Sequence, residues 1–289
     1  MSVLVENSVL VENKDTKLFT TVYPNSGKQT VILLHGGPGV PENLEPIAKF
    51  LSQQYQVIYF HQRGTFNSPC PSGSYRMDDY ISDIDSIAAH FGLQQFHLFG
   101  HSWGGLYAQI YAAQRQDKLL SMLLCSPASG TGWQWAETVM EVSKFHKRKS
   151  TLIEWLAMVK NASAGMLGSN KAYLKFNIQF FINCNKGYGV ADPARLMTHH
   201  VYAKPINRTN LSLLLHSRLP GLPDPDFKVT VTYGDDDIYG NSPKYVRARY
   251  PTADVITIPG SSHFPWLHNG EAFFNVLADH YSINHQGNA

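Results

Sequence analysis

The sequence predicts an α/β protein, a mostly parallel sheet flanked by helices and interrupted by one helical insertion. Three observations predict it. Short β-branched, apolar runs alternate with helix-period segments along most of the chain. Those runs are apolar throughout, as strands covered on both faces of a parallel sheet are. Over residues 127–225 the strand runs stop, and helical, Trp- and Phe-rich stretches replace them until Leu219-Pro-Gly-Leu-Pro-Asp-Pro225, a Pro/Gly hinge.

The chain opens on a tandem repeat, Ser2-Val-Leu-Val-Glu-Asn7 followed by Ser8-Val-Leu-Val-Glu-Asn13. Two copies of a six-residue unit are too few for a solenoid. Their apolar–polar alternation predicts an extended strand continuing into 17–23, and the repeat reads equally as a recent duplication or a misassigned start. The first block then predicts strand 30–35, helix near 42–53, strand 56–60, helix 77–91, strand 96–99, helix from 103 to about 115 and strand 120–125. A second block predicts strand 228–233, helix near 243–250, strand 254–258 and helix 271–281. Residues 1–126 and 226–289 are thus expected to form the core. The insertion 127–225 is expected above the crevice where parallel sheets bind ligands, as a helical cap or lid.

Hydrophobic residues make up 43% of the chain and charged residues 16%, a balance that supports a packed core and excludes a disordered chain. The net charge is +2, too small a field for nucleic acid to be an expected partner. Lys144, Lys147, Arg148 and Lys149 cluster on a predicted helix, where a solvated face is the default reading. Cys70, Cys125 and Cys184 have wide spacing and no CxxC, so neither a disulfide framework nor a zinc site is expected, and reduced thiols fit a cytoplasmic protein. Glu6 and Glu12 break the N-terminal apolar runs, so no secretory signal is read. The uncharged stretch 119–136 is interrupted by Pro127, Gly130, Gly132 and Gln134 and is not a membrane span. The expected partner is therefore a small-molecule or short-peptide substrate, with neither nucleic acid nor membrane.

Two motifs carry chemistry. Gly100-His-Ser-Trp-Gly104 fits G-x-S-x-G, in which a serine on a sharp turn projects its hydroxyl over the sheet, and the flanking glycines leave room for that turn. The pattern alone arises by chance roughly once in eight such sequences. Its position after the apolar run 96–99 and before a helical pattern supplies the strand–turn–helix setting it needs. His35-Gly-Gly-Pro-Gly39 follows the strand at 31–34, where a glycine-rich loop brings backbone N–H groups close to a substrate oxygen. Gly37 N–H and Trp103 N–H are the expected oxyanion-hole donors; the alternative is a tight turn without function.

Together with His61-Gln-Arg-Gly64, the HGGPG and Gly-His-Ser-Trp-Gly-Gly105 motifs resemble the proline iminopeptidase branch of the α/β hydrolases. The resemblance spans the core and leaves out the insertion; His61 stands where that family usually has Asp, and Phe66 also departs from its pattern. It implies an α/β-hydrolase fold in which Ser102, an acid and a histidine follow in that order. The acid commonly lies three residues after the glycine that ends its strand, which selects Asp237 from Gly234-Asp-Asp-Asp237, with Asp236 and Asp235 as alternatives. The bland alternative is that the three adjacent acids solvate a turn, a reading expected to hold for two of them. The G-x-x-H loop of the family places the base at His263, with His268 in reserve; His101 is expected to point away from Ser102. The adjacent His199 and His200 lack metal-ligand spacing.

The implied chemistry is acyl transfer through Ser102, with His263 as proton shuttle and Asp237 as its anchor, and it requires no metal or organic cofactor. Epoxide hydrolases and haloalkane dehalogenases need a carboxylate where Ser102 stands. An aminopeptidase needs acids to hold the α-ammonium. The insertion is poor in acids, and Ile238 stands where some iminopeptidase-like proteins carry one. Glu137 and Glu141, spaced i, i+4, are the candidate amine site, against an ordinary helix-surface role. Trp133, Trp135, Trp155, Phe176, Phe180 and Phe181 fit either an apolar acyl pocket or the packing core of a lid. Three readings stand: an iminopeptidase-like peptidase, an esterase or lactonase, and a non-catalytic binding protein on a hydrolase scaffold.

Overall fold

Every residue of Thr30–Leu34 and of Phe96–His101 is buried, as strands covered on both faces must be. They lie at the centre of one eight-stranded sheet in a computed structural model that describes residues 7–40, 42–190 and 201–283. The strands are β1 (Asn7–Asn13), β2 (Thr16–Tyr23), β3 (Thr30–Leu34), β4 (Gln56–Phe60), β5 (Phe96–His101), β6 (Leu119–Cys125), β7 (Lys228–Gly234) and β8 (Asp254–Ile258). Their order is β1-β2-β4-β3-β5-β6-β7-β8. β1 and β2 pair antiparallel, as do β2 and β4, and the remaining pairs are parallel. The chain runs from β3 outward to β4 and then returns to place β5 on the other side of β3. The gap between β3 and β5 is therefore the switch point above which open α/β sheets bind ligands.

The helices are α1 (Glu45–Leu51), α2 (Met77–His90), α3 (Trp103–Ala112), α4 (Trp133–Lys149), α5 (Leu152–Met166), α6 (Asn170–Asn185), α7 (Ala203–Leu215), α8 (Lys244–Arg249), α9 (Pro265–His268) and α10 (Gly270–Tyr281). α3 is buried along its whole length against the sheet, which explains its continuous apolar and small-residue sequence. α4 to α7 all fall between β6 and β7, with no strand among the described residues there. A capping box at Thr151, whose side chain accepts from Glu154 N–H while Glu154 reaches back, sets the start of α5. Among the described residues no helix is long and apolar enough to cross a membrane, and all three cysteines are free.

The N-terminal expectation needs correcting. The second repeat copy is β1, but it does not run on into β2; the chain reverses at Lys14 and Asp15, and Asn13 pairs with Thr16. Lys14 takes a positive φ of 55°, the hairpin geometry that period-2 alternation alone cannot signal. Residues 1–6, most of the first copy, lie outside the described residues, as do His199 and His200. α1 also begins later than expected, at Glu45 with Pro46 in its first turn, which leaves Glu42 in the preceding loop.

A buried ion pair ties the first block together. Arg63 meets both Asp83 oxygens at 2.7 Å and donates to the carbonyls of Ser74 and Asp79. Its neighbour His61 stacks on Phe19 and donates its N–H to the Phe19 carbonyl, a packing role on the β2 side.

Candidate active site

β5 ends at His101, and Ser102 follows with φ 57° and ψ −119° before α3 begins. Such a conformation costs a residue with a side chain about 1–3 kcal/mol and persists only where the surroundings enforce it. The enforcement is steric. A Cβ on Gly100 would stand 2.3 Å from the Gly104 carbonyl oxygen, and one on Gly104 would stand 2.2 Å from the Leu34 carbonyl oxygen. The turn closes against β3 only because both positions are glycine.

Three of the predicted residues are brought together at the C-terminal ends of the parallel strands. Ser102 Oγ lies 2.9 Å from His263 Nε2, and His263 Nδ1 lies 3.2 Å from Asp237 Oδ1. Burial alone would raise the Asp237 pKa, but the His263 ring beside it and the Gly234 N–H outweigh that, and it lies below the ordinary carboxylate value. Burial is also the main influence on His263 and pushes its pKa below 6.5, although Asp237 works in the other direction. The imidazole is therefore held neutral and able to accept a proton.

Each of the three adjacent acids has its own partner, contrary to the expectation that two merely solvate a turn. Asp235 accepts the N–H groups of Gly260 and Ser261, fastening the loop that carries His263. Asp236 pairs with Arg148 at 2.5 Å and Lys149 at 2.7 Å, so part of the basic cluster on α4 is not a purely solvated face. Asp237 alone turns inward. His268 is occupied elsewhere: its Nδ1 accepts from Ser262 N–H and its Nε2 meets Asn185 Oδ1 at 2.9 Å.

Further residues complete the surroundings, of which Glu42 and Tyr239 were not singled out beforehand. The His101 ring lies against that of His263, with ring centroids 4.7 Å apart. Its Nε2 meets the His263 carbonyl at 2.9 Å and its Nδ1 meets Glu42 Oε2 at 2.9 Å. Glu42 also accepts Gly36 N–H at 2.6 Å. The His61-Gln-Arg-Gly64 motif acts through Gln62, which donates from its side chain to the His35 carbonyl and accepts from Trp103 Nε1. Tyr239 places its hydroxyl 3.1 Å from Ser102 Oγ. Glu42 was hidden in a predicted helix start, while no local pattern distinguishes Tyr239 from its turn.

Gly37, in the positive-φ region at 53°, and Trp103 border the same cavity as Ser102. Neither backbone N–H has a hydrogen-bond partner among the described residues. The cavity holds about 290 Å³, and Trp135 and Val142 of α4, Met166 of α5, Phe176 and Phe180 of α6 and Ile206 of α7 also line it. Glu137 and Glu141 do not line it. Glu137 pairs with Lys244 and Tyr245, and Glu141 with Lys144. Their shared helix face therefore meets α8 and the Gly240 loop before it and not the cavity, which corrects their assignment as an amine site. Trp133 is likewise outside, packed edge-on against Tyr245.

The family described as alpha/beta hydrolase fold matches residues 29–175, taking in the glycine loop and Ser102. A proline iminopeptidase of Lactobacillus delbrueckii subsp. lactis is 24% identical over 277 residues, 86% of this chain and 88% of its own length. A proline iminopeptidase of Clostridioides difficile (strain 630) is 33% identical over 112 residues, 38% of each chain. Among solved structures, VinJ superposes with a TM-score of 0.74 at 19% identity, covering 96% of this chain and 98% of that one. The esterase RhEst1 from Rhodococcus sp. ECU1013 gives 0.72 at 18% identity, with the same coverage of 96% and 98%. At those identities the structural likeness speaks for the fold.

Proposed function

Because the chain belongs to the α/β-hydrolase fold family, we propose that it is a serine hydrolase cleaving an ester or amide of an uncharged, apolar acyl group. The observation that carries the reading is the alignment of Ser102, His263 and Asp237 at 2.9 and 3.2 Å. A serine hydroxyl becomes a competent nucleophile when a neutral imidazole takes its proton, and a carboxylate fixes the tautomer that can do so. Ser102 Oγ attacks the carbonyl carbon, and His263 Nε2 receives its proton. Gly37 N–H and Trp103 N–H hydrogen-bond the resulting oxyanion. His263 then protonates the leaving group, and water releases the acid from Ser102 by the same route. The scheme uses no metal or organic cofactor, and helices α4 to α7 serve as the cap that excludes bulk water.

The acyl preference rests on the cavity wall. Glu42 is the acid in that wall among the described residues, and its carboxylate already serves Gly36 and His101. An α-ammonium placed there would lose its hydration without a free counter-charge, a cost of several kcal/mol. The volume, at the low end of small-molecule pockets, suits a short or medium acyl group. The iminopeptidase relatives favour a second reading, release of an N-terminal residue from a short peptide.

A fluorophosphonate probe tests the nucleophile: labelling is expected in the unmutated protein and absent in Ser102→Ala, and persistent labelling of the variant would defeat the reading. Turnover of 4-nitrophenyl butyrate and octanoate set against proline 4-nitroanilide separates the substrate classes. Strong arylamide cleavage with negligible ester cleavage would replace the apolar-acyl reading by the iminopeptidase one.

A further inference from the structure

The Tyr239 hydroxyl stands 3.1 Å from Ser102 Oγ, and its ring is set edge-on to His263 with centroids 5.3 Å apart. The side chain is buried, at 4% exposure, yet it borders the cavity. Its backbone is pinned, because the carbonyl of Tyr239 accepts both the N–H and the hydroxyl of Ser242, whose oxygen in turn accepts from Ser129. A buried tyrosine hydroxyl needs a hydrogen-bond partner, and here that partner is Ser102 Oγ itself.

A count of hydrogens settles which way the contact runs. In the reactive state the single Ser102 hydroxyl hydrogen points to His263 Nε2, because the base must accept it. The hydrogen between Ser102 and Tyr239 must then come from Tyr239, with Ser102 Oγ as acceptor. Burial pushes the phenol pKa up, so the group remains a neutral donor throughout the working range.

Resting on the serine-hydrolase reading above, we propose that Tyr239 is a catalytic residue that donates a hydrogen bond to the leaving oxygen or nitrogen in each half of the reaction. As the bond from Ser102 Oγ to the carbonyl carbon forms, Oγ turns from a hydroxyl into an ester-type oxygen and becomes a poorer acceptor. The Tyr239 hydrogen is then available to the next atom that gains negative charge. The carbonyl oxygen is served by Gly37 and Trp103, whereas Tyr239 stands beside His263, on the side from which the leaving atom departs. The carbon–leaving-atom bond breaks with its electron pair on that atom. The atom takes the proton from His263 Nε2 and the hydrogen bond from Tyr239, which keeps its own proton. In the second half water attacks, His263 takes the water proton, and the leaving atom is Ser102 Oγ itself. The observed 3.1 Å contact is the one that half requires.

The test is Tyr239→Phe, which keeps the ring and removes the donor, followed by stopped-flow kinetics with butyrate esters of 4-nitrophenol and of ethanol. 4-Nitrophenolate leaves without help, so its acylation burst should stay within about threefold, while deacylation and acylation by the ethyl ester should each slow by about tenfold or more. Equal slowing of all three steps would mark Tyr239 as a packing residue and overturn the proposal, as would no slowing of any. Fluorophosphonate labelling of Ser102 is followed alongside. Its loss in the variant only would mean a disturbed site and count against the proposal. Its absence in the unmutated protein would instead overturn the serine-hydrolase reading, and the proposal with it.

Discussion

His101 hydrogen-bonds the backbone carbonyl of His263 through Nε2 at 2.9 Å, so the His263 loop is tied to the residue that precedes Ser102 in sequence. The other ring nitrogen faces the Glu42 carboxylate. Glu42 also takes Gly36 N–H. One buried side chain thus connects the glycine loop with His101, and through it the Ser102 turn and the His263 loop.

Glu42→Gln should therefore damage stability and catalysis together. It removes the charge from a buried pair, which typically costs about 3–5 kcal/mol when one partner is lost, and frees two loops that must stay in register. The expected outcome is a clear fall in Tm with kcat down about tenfold to a hundredfold and a smaller change in KM. Thermal unfolding and steady-state ester hydrolysis check it. An unchanged Tm would mean that the pair contributes nothing to the loops it joins.

The three acids after Gly234 should separate cleanly on substitution. Asp237→Asn leaves the fold in place but fixes the wrong His263 tautomer, for which about a 10³–10⁴-fold loss in kcat is expected. Asp236→Asn disturbs a partly exposed pair with Arg148 and Lys149 and should lower stability by less than about 1 kcal/mol. Asp235→Asn weakens the acceptor for Gly260 and Ser261, with an intermediate effect on kcat through the His263 loop. Ranking the three kcat values tests the assignment; a larger loss at Asp236 than at Asp237 would reverse it.

The pH dependence follows from the sign of the His263 shift. The base works when neutral, so kcat/KM falls as pH drops through its pKa. Burial sets that pKa below 6.5 in spite of the opposing effect of Asp237. The plateau should accordingly extend below pH 6.5 before the acid limb begins, and in Asp237→Asn the residual activity should hold to still lower pH. A pH–rate profile on a non-ionising ester reads this directly, and an acid limb centred above 7 would contradict it.

What was legible in the sequence was what a short pattern enforces by sterics. Gly100 and Gly104 announce the turn because any side chain there would strike backbone, and the buried runs of β3 and β5 announce a doubly covered sheet. Glu42 and Tyr239 were not legible, since their roles come from contacts spanning 59 and 137 residues in sequence. Glu137 and Glu141 show the converse. Their i, i+4 spacing correctly places them on one face of a helix, but periodicity does not say whether that face meets the cavity or α8. The β1–β2 reversal was missed for a local reason: the positive-φ position is Lys14, where Gly or Asn is usual, although Asn13 and Asp15 flank it.

The cavity makes the sharpest test of substrate class. Phe176 borders it from α6 while Glu137 stands outside, paired with Lys244. Phe176→Ala removes a ring from an apolar wall and enlarges the acyl site, so the chain-length preference among 4-nitrophenyl esters should move to longer acids, with kcat/KM for butyrate down about tenfold as packing against the short chain is lost. Glu137→Gln should leave every ester and arylamide within about twofold, because its carboxylate meets only Lys244, Tyr245 and solvent. The two variants discriminate in opposite directions. If Glu137→Gln raised KM for a proline arylamide while Phe176→Ala left the ester preference unchanged, the substrate would be entering with a charged amine toward α4, and the apolar-acyl assignment would have to give way.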